Sequence, residues 1–211
     1  MIDGKRYYAT KGGHFPSVTT ILGDKKKDSI QAWRNRVGEA EADKIMRQAS
    51  SRGTGMHTIC EDYLNNKDDV YKGHMPPAIA LFKQLQPILD ERIGRIYGNE
   101  IALYSTELKA AGRCDLYAEF DGVPAVVDFK TSTKTKREDW IEDYFLQATC
   151  YSMMIEELHG HKIEKIAVLI AVQETGLSQV FVKNPDDYRQ MVRERFAEYH
   201  DKYPLPTIAQ D

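Results

Sequence analysis

Two short runs, CDLYAEF (114–120) and VPAVVDFK (123–130), stand on either side of Asp121-Gly122. Both are rich in β-forming residues, and Asp-Gly between such runs is a strong signal for a tight hairpin. Phe120 then faces Val123, which sets Asp115 opposite Asp128 and Arg113 opposite Lys130. Alternation puts Cys114, Leu116, Ala118 and Phe120 on one face and Arg113, Asp115, Tyr117 and Glu119 on the other. It also puts Asp128 and Lys130 on one face of the second strand, with Val127 and Phe129 on the opposite, buried face. Like charges across a strand pair are destabilising, and an isolated buried charge is costly. Two readings stand. Asp115 pairs with Arg113 or Lys130 on a wet face, or the carboxylates hold a divalent cation, for which hard oxygen ligands suit magnesium or manganese.

The rest of the chain reads as elements around that hairpin. Residues 5–22 look like a small hairpin with its turn at KGGH. A polar helix is expected over about Ser29–Ser50, a break at SRGTG, and a second helix over about Gly55–Asn65. A third helix runs from Pro76 to Arg92 and must end or kink near Pro87. From Ile96 come three strands, RIYGNEIALYS, ELKAAGRCDLYAEF and VPAVVDFK. A helix over about Trp140–Leu158 follows, then the buried-type strand IEKIAVLIAV, the edge-type strand LSQVFVK and a last helix over Pro185–Tyr203. The order implies an α/β chain with a mixed central sheet flanked by helices, and an N-terminal helical and hairpin flank. It is read as one domain, the flank spanning 1–95 and the sheet core 96–211.

Other chemistry-bearing residues recur at helical spacing. His57 and Glu61 are i, i+4 and share a helix face, either as a surface pair or with the imidazole as a metal ligand. Glycines 53 and 55 beside them permit close approach of another backbone or a phosphate. Gln147 and Tyr151 repeat the spacing, as a functional pair or as one polar edge of a core-facing helix. Lys134, Lys136 and Arg137 form a basic loop beyond Lys130, either simply solvated or placed to draw phosphates.

Bulk properties exclude several classes. There are 29 Lys and Arg against 32 Asp and Glu, so the chain is no generic polycation, although a local basic groove is compatible with that balance. Cys60, Cys114 and Cys150 form no C-x-x-C, which speaks against a cysteine-built zinc or iron–sulfur site. MIDGKRYYAT has no apolar leader segment and no run of 18 apolar residues occurs, so an intracellular protein without a membrane span is expected.

Four blocks in order, G-x-H-x-x-x-E at Gly55–Glu61, G-R-x-D at Gly112–Asp115, D-x-K at Asp128–Lys130 and Q-x-x-x-Y at Gln147–Tyr151, resemble the PD-(D/E)XK nuclease superfamily in its RecB-like branch. P-S-V-T-T-I-L at 16–22, with Trp33 after it, extends the likeness more loosely to the exonucleases of mitochondrial genome maintenance and their phage and bacterial relatives. No four-cysteine cluster is present, so the likeness is not to the iron–sulfur members.

The resemblance implies a restriction-endonuclease-like core and one or two Mg²⁺ or Mn²⁺ ions held by His57, Asp115, Asp128 and the carbonyl of Phe129. It implies Lys130 at the attacking water and scissile phosphate, Gln147 and Tyr151 bracing that lysine and the DNA backbone, and 5′-phosphate products. Glu107 stands where family members often carry an acid, though it also suits a salt bridge. In the flank, Ser17, Thr19 and Thr20 offer hydroxyls to phosphates, Lys25, Lys26, Lys27, Arg34 and Arg36 offer charge, and Trp33, Tyr7 and Tyr8 offer stacking faces. For Trp33 the competing reading is core packing. The expected activity is metal-dependent exonuclease cleavage of DNA from single-stranded ends in replication, repair or recombination, with proteins of those processes as partners. A structure-specific endonuclease and an inactive DNA-binding subunit are the alternatives.

Overall fold

In the computed structural model, which describes residues 5–206, the flank begins with an antiparallel pair, β1 (Tyr7–Thr10) and β2 (Gly13–Pro16). Residues 1–4, part of the segment read for a leader, lie outside the described residues, as do 207–211. The hairpin is shorter than the expected 5–22 because Ser17 ends it. Its hydroxyl accepts the Thr20 N–H at 3.0 Å and caps α1 (Val18–Gly23), a bond of the kind that contributes about 1 kcal/mol. Val18, Ile21 and Leu22 of α1 are buried in the core.

The next helices break elsewhere than expected. α2 (Lys27–Val37) stops at Gly38, whose φ of 89° a helix cannot contain. α3 (Glu39–Leu64) then runs through SRGTG without interruption. Gly55 belongs there for contact: a Cβ at this position would lie 2.8 Å from the Ala78 Cβ of α4 (Pro76–Arg92). α4 has the expected bounds but continues through Pro87 rather than ending there. An internal proline costs about 3 kcal/mol. Leu81, Phe82, Leu85 and Leu89, buried on both sides of Pro87, offset it.

Five strands make the central sheet in the order β3 (Ile93–Ser105), β4 (Ala110–Phe120), β5 (Val123–Ser132), β6 (Lys165–Val172) and β7 (Ser178–Lys183). Only β5 and β6 are parallel, and α5 (Glu142–His159) connects them. β6 is buried from Ile166 to Val172, as suits an inner strand with both faces covered. α6 (Arg189–Lys202) closes the described chain. One face of the sheet packs on α1, α5 and α6 around Val126, Leu146, Val168 and Phe196. The other packs on α3 and α4 around Met56, Phe82, Leu116, Val127 and Phe129. This is the expected mixed α/β sheet flanked by helices, consistent with a restriction-endonuclease-like core. No helix among the described residues is long and apolar enough to cross a membrane.

Asp121 and Gly122 both take positive φ, 52° and 77°, the type I′ hairpin turn. The register of β4 on β5 follows, from Phe120 opposite Val123 to Leu116 opposite Val127. There it stops. Asp115 does not ladder with Asp128, nor Arg113 with Lys130; Arg113 pairs instead with Ala102 of β3. The expected alternation also slips. Cys114 packs with Tyr117 on the α5 face, while Leu116, Ala118 and Phe120 face α3 and α4.

Gly55→Leu should lower the melting temperature by forcing α3 from α4, at a cost of about 1–3 kcal/mol. Gly23→Ala, whose new Cβ meets nothing within 4 Å, should not lower it. Equal melting of the two variants would contradict the close crossing.

Candidate metal centre

Where β4 and β5 part, the Asp115 carboxylate crosses the gap. Its Oδ2 accepts the Phe129 N–H at 2.8 Å, taking the place of a strand carbonyl. His57, carried by α3, sets Nδ1 3.5 Å from the same oxygen. The imidazole meets the buried Phe129 ring edge-on, with centroids 6.1 Å apart. Glu100 of β3 completes a group: one ligand atom each from His57, Glu100 and Asp115 lies within 4.8 Å of the others. Arg113 is 3.6 Å from Glu100. These residues and Glu61 line an open groove of about 460 Å³.

Sequence reasoning missed Glu100, yet the signal was present. Ser105 opposite Ala110 fixes β3 on β4, with Asn99 opposite Leu116 and Ile101 opposite Cys114. Glu100 therefore stands beside Asp115, at a φ of 52°. The register argument used for the Asp-Gly hairpin, applied one turn earlier, leads to it.

Asp128 is 1% exposed and stands outside that group. Its carboxylate contacts the ammonium of Lys130, but neither oxygen accepts a hydrogen bond of good geometry. The sequence reading freed Lys130 to face a phosphate; in the structure the two side chains are in contact. Lys130 Nζ also lies 5.2 Å from the centre of the Tyr144 ring of α5.

The electrostatics are those of an excess of buried acid. Burial, reinforced by Asp115 and only partly offset by Lys130, pushes the Asp128 carboxyl up to about 6. Burial and then Asp115 raise Glu100. Burial would raise Asp115 too, but His57, then Lys130 and the Phe129 N–H outweigh it and hold that carboxyl below its ordinary value. Burial would lower His57, and Asp115 more than offsets this and raises it. A buried carboxylate with unsatisfied oxygens, beside an imidazole and two further carboxyl groups, fits a hard or borderline divalent cation. His57, Glu100 and Asp115 are grouped to hold one, with Asp128 at its side.

The remaining residues singled out by the sequence are placed as follows. Tyr151 is buried, and Gly112 is a glycine because a Cβ there would sit 2.7 Å from the Tyr151 hydroxyl. Burial raises that phenol well above its ordinary value. Gln147 is half-buried on the same helix. Ser17 is 3% exposed and its oxygen is taken up by the α1 cap, so it is not presented to a phosphate, whereas Thr19 is exposed. Lys25, Lys26 and Lys27 are paired with Glu198, Asp143 and Asp24, and Arg34 with Glu39 and Asp43. Trp33 is half-buried on α2, a helix without a fully buried residue. Glu107 pairs with Arg193 of α6 at 2.8 Å, the salt-bridge reading. Lys134 is exposed, 4.0 Å from Glu174.

A mixed five-stranded sheet with helices on both faces, its central hairpin opening on a histidine, acidic groups and a lysine, is the class of chain that the PD-(D/E)XK resemblance implies. The sequence is weakly homologous to mitochondrial genome maintenance exonuclease 1. It is 29% identical to the Mus musculus protein over 129 residues, 57% of this chain and 38% of that one. It is 28% identical to the Xenopus tropicalis protein over 171 residues, 76% of this chain and 48% of that one. The chain thus spans less than half the length of these curated relatives. Their names support a nuclease. No family model matches the sequence. A solved structure described as the crystal structure of SSO0001 covers 74% of this chain and 77% of its own, at 14% identity and a TM-score of 0.40.

Glu100→Gln should weaken Mn²⁺ binding at least about tenfold in calorimetric titration. Acidification should weaken it in the unaltered protein as well. Asp128, raised to about 6, together with the raised Glu100 and His57, takes up protons that a cation must displace. Affinity should therefore fall as pH drops from about 7.5 to 5.5. A pH-independent affinity, or an inert Glu100→Gln, would remove these residues from the site.

Proposed function

We propose that this chain is a metal-dependent deoxyribonuclease of the RecB-like branch that hydrolyses phosphodiester bonds from single-stranded DNA ends. The observation that carries the reading is the convergence of His57, Glu100 and Asp115 beside the buried Asp128–Lys130 pair. A bound Mg²⁺ or Mn²⁺ would supply an acidified water and neutralise charge on the non-bridging oxygens.

The chain's own groups would act around it. Asp115 is oriented by the Phe129 N–H and keeps its charge, so it holds its place as a ligand. The Phe129 carbonyl is the further ligand that the family pattern implies. Lys130 would exchange Asp128 for the phosphate, bringing a fixed positive charge to where negative charge builds in the transition state. Tyr151 and Gln147 sit behind this edge on α5, and the Tyr151 hydroxyl packs against β4 at Gly112. Thr19 and Lys134 are exposed enough to meet a DNA backbone, and Trp33, Tyr7 and Tyr8 are the flank's candidates for stacking on bases. Replication, repair or recombination are the processes in which such an activity would serve.

End-labelled single- and double-stranded DNA of both polarities, with Mg²⁺, Mn²⁺ or EDTA, tests the reading. Cleavage should need metal, and Asp128→Ala and Lys130→Ala should each abolish it. His57→Ala should lose most activity, with part recovered at high Mn²⁺. A linear single strand should be degraded and a circular one spared. Full activity of Lys130→Ala, or in EDTA, would overturn the site and its metal dependence, and no cleavage under any of these conditions would overturn the nuclease reading. Equal cutting of circles would leave an endonuclease.

A further inference from the structure

Beyond Lys130 the end of β5 forms one wall of a second cavity, about 180 Å³. It shares no lining residue with the groove that holds His57 and Asp115. Arg52 of α3 and Lys136 of the loop after β5 line it, with the hydroxyl-bearing residues Thr131, Ser132, Thr133 and Tyr144, of which Ser132 donates its hydroxyl to the Lys134 carbonyl. No carboxylate does. The set is one of donors and positive charge, in a space suited to a single phosphate group.

The two cations are half-buried, whereas the other cations without an ion pair among the described residues are mostly exposed. The protein has more acidic than basic residues, 32 against 29, and Lys25, Lys26, Lys27 and Arg34 are all ion-paired. Arg52 and Lys136 are half-buried. Among the described residues, neither of their side chains forms an ion pair or a hydrogen bond. Two partly desolvated cations without a counter-charge are unfavourable unless an anion joins them.

The cavity is also held in shape. Gln179 of β7 clamps the main chain of Lys136 from both sides, its Oε1 accepting the N–H at 2.7 Å and its Nε2 donating to the carbonyl at 2.8 Å. The Gln173 N–H donates to the Ser132 carbonyl at 2.9 Å. Gly53, next to Arg52, packs at the end of β5, where even a Cβ would meet Thr131 Oγ1 at an ordinary contact distance of 3.6 Å. Tyr144 joins the two sites, since its ring also lies beneath Lys130.

We propose that this cavity is a phosphate subsite, in which Arg52 and Lys136 bind a phosphate of the nucleic acid other than the one being cleaved. The proposal rests on the nuclease reading of the neighbouring centre. An internal backbone phosphate and a terminal one share the chemistry.

The test uses the full chain, a double variant Arg52→Gln with Lys136→Gln, and Lys162→Gln as an exposed control, each checked for unchanged melting. Inorganic phosphate titrated in EDTA should bind the unaltered chain, and the double variant should lose at least about tenfold in affinity, a charge-assisted contact being removed. Lys162→Gln should bind as before. With single-stranded oligonucleotides and metal, the double variant should raise KM about tenfold and change kcat less than about threefold, the signature of lost ground-state binding. The slope of log affinity against log salt should shrink by about 0.7, one phosphate contact on a single strand. If the rise in KM is confined to 5′- or 3′-phosphorylated oligonucleotides, the subsite takes a terminal phosphate; if it is equal for unphosphorylated ends, it takes an internal one. Phosphate binding retained by the double variant, or an unchanged KM and salt slope, would overturn the proposal. A chain that cleaves no DNA but loses phosphate binding with Arg52 and Lys136 would instead refute the nuclease reading and keep the anion site.

Discussion

The hydrogen bond from the Phe129 N–H to the Asp115 carboxylate is the contact on which the site depends. It ends the β4–β5 ladder at Leu116 and Val127 by giving a strand donor to a side chain. The opening admits His57 from α3 on one side and sets Glu100 of β3 beside Asp115. It leaves Asp128 enclosed, with Lys130 against it. A charge-assisted hydrogen bond contributes about 1.5–3 kcal/mol, whereas desolvating a carboxylate costs several kcal/mol. This bond, Lys130, the His57 imidazole and Arg113 near Glu100 do not fully compensate the three neighbouring acids, since Asp128 and Glu100 stay raised. That imbalance makes a cation the natural completion of the structure.

The hairpin was legible in the sequence because Asp-Gly turn chemistry is local and fixes the register by itself. What the register could not tell is where pairing would stop, because that depends on a side chain competing for a ladder donor. Gly53 and Gly55 were read as helix breakers because glycine lowers helix propensity. They were also read as points of close approach, which holds at Gly55, where a Cβ would crowd Ala78 far off in the chain, whereas at Gly53 a Cβ would meet Thr131 only at ordinary contact distance. His57, Asp115, Asp128 and Lys130 were found through motif order, which gathers residues that no single spacing connects. Glu100 was within reach of the same register argument, but Arg52 was not. A lone arginine on a polar helix gains meaning only from the cavity beside it.

The flank is joined to the core by two unequal means. α1 buries Val18, Ile21 and Leu22 and is capped by Ser17, which also bridges to Ala111 near the start of β4. Beyond it, α2 buries no residue fully, and the lysines before and within it reach acids on neighbouring elements. Exposed pairs of that kind contribute about 0–1 kcal/mol each and are screened by salt. The start of the flank is therefore fixed against the sheet, while α2 is held by contacts that an incoming polyanion can exchange.

The central claim is that the opened hairpin holds a divalent cation, and anomalous diffraction from crystals soaked in Mn²⁺ tests it most directly. The expected result is a peak about 2.0–2.2 Å from a carboxylate oxygen of Asp115, with His57 and Glu100 around it and the Asp128 carboxylate drawn away from Lys130. No peak there at saturating Mn²⁺, with Asp128 still in contact with Lys130, would contradict the account.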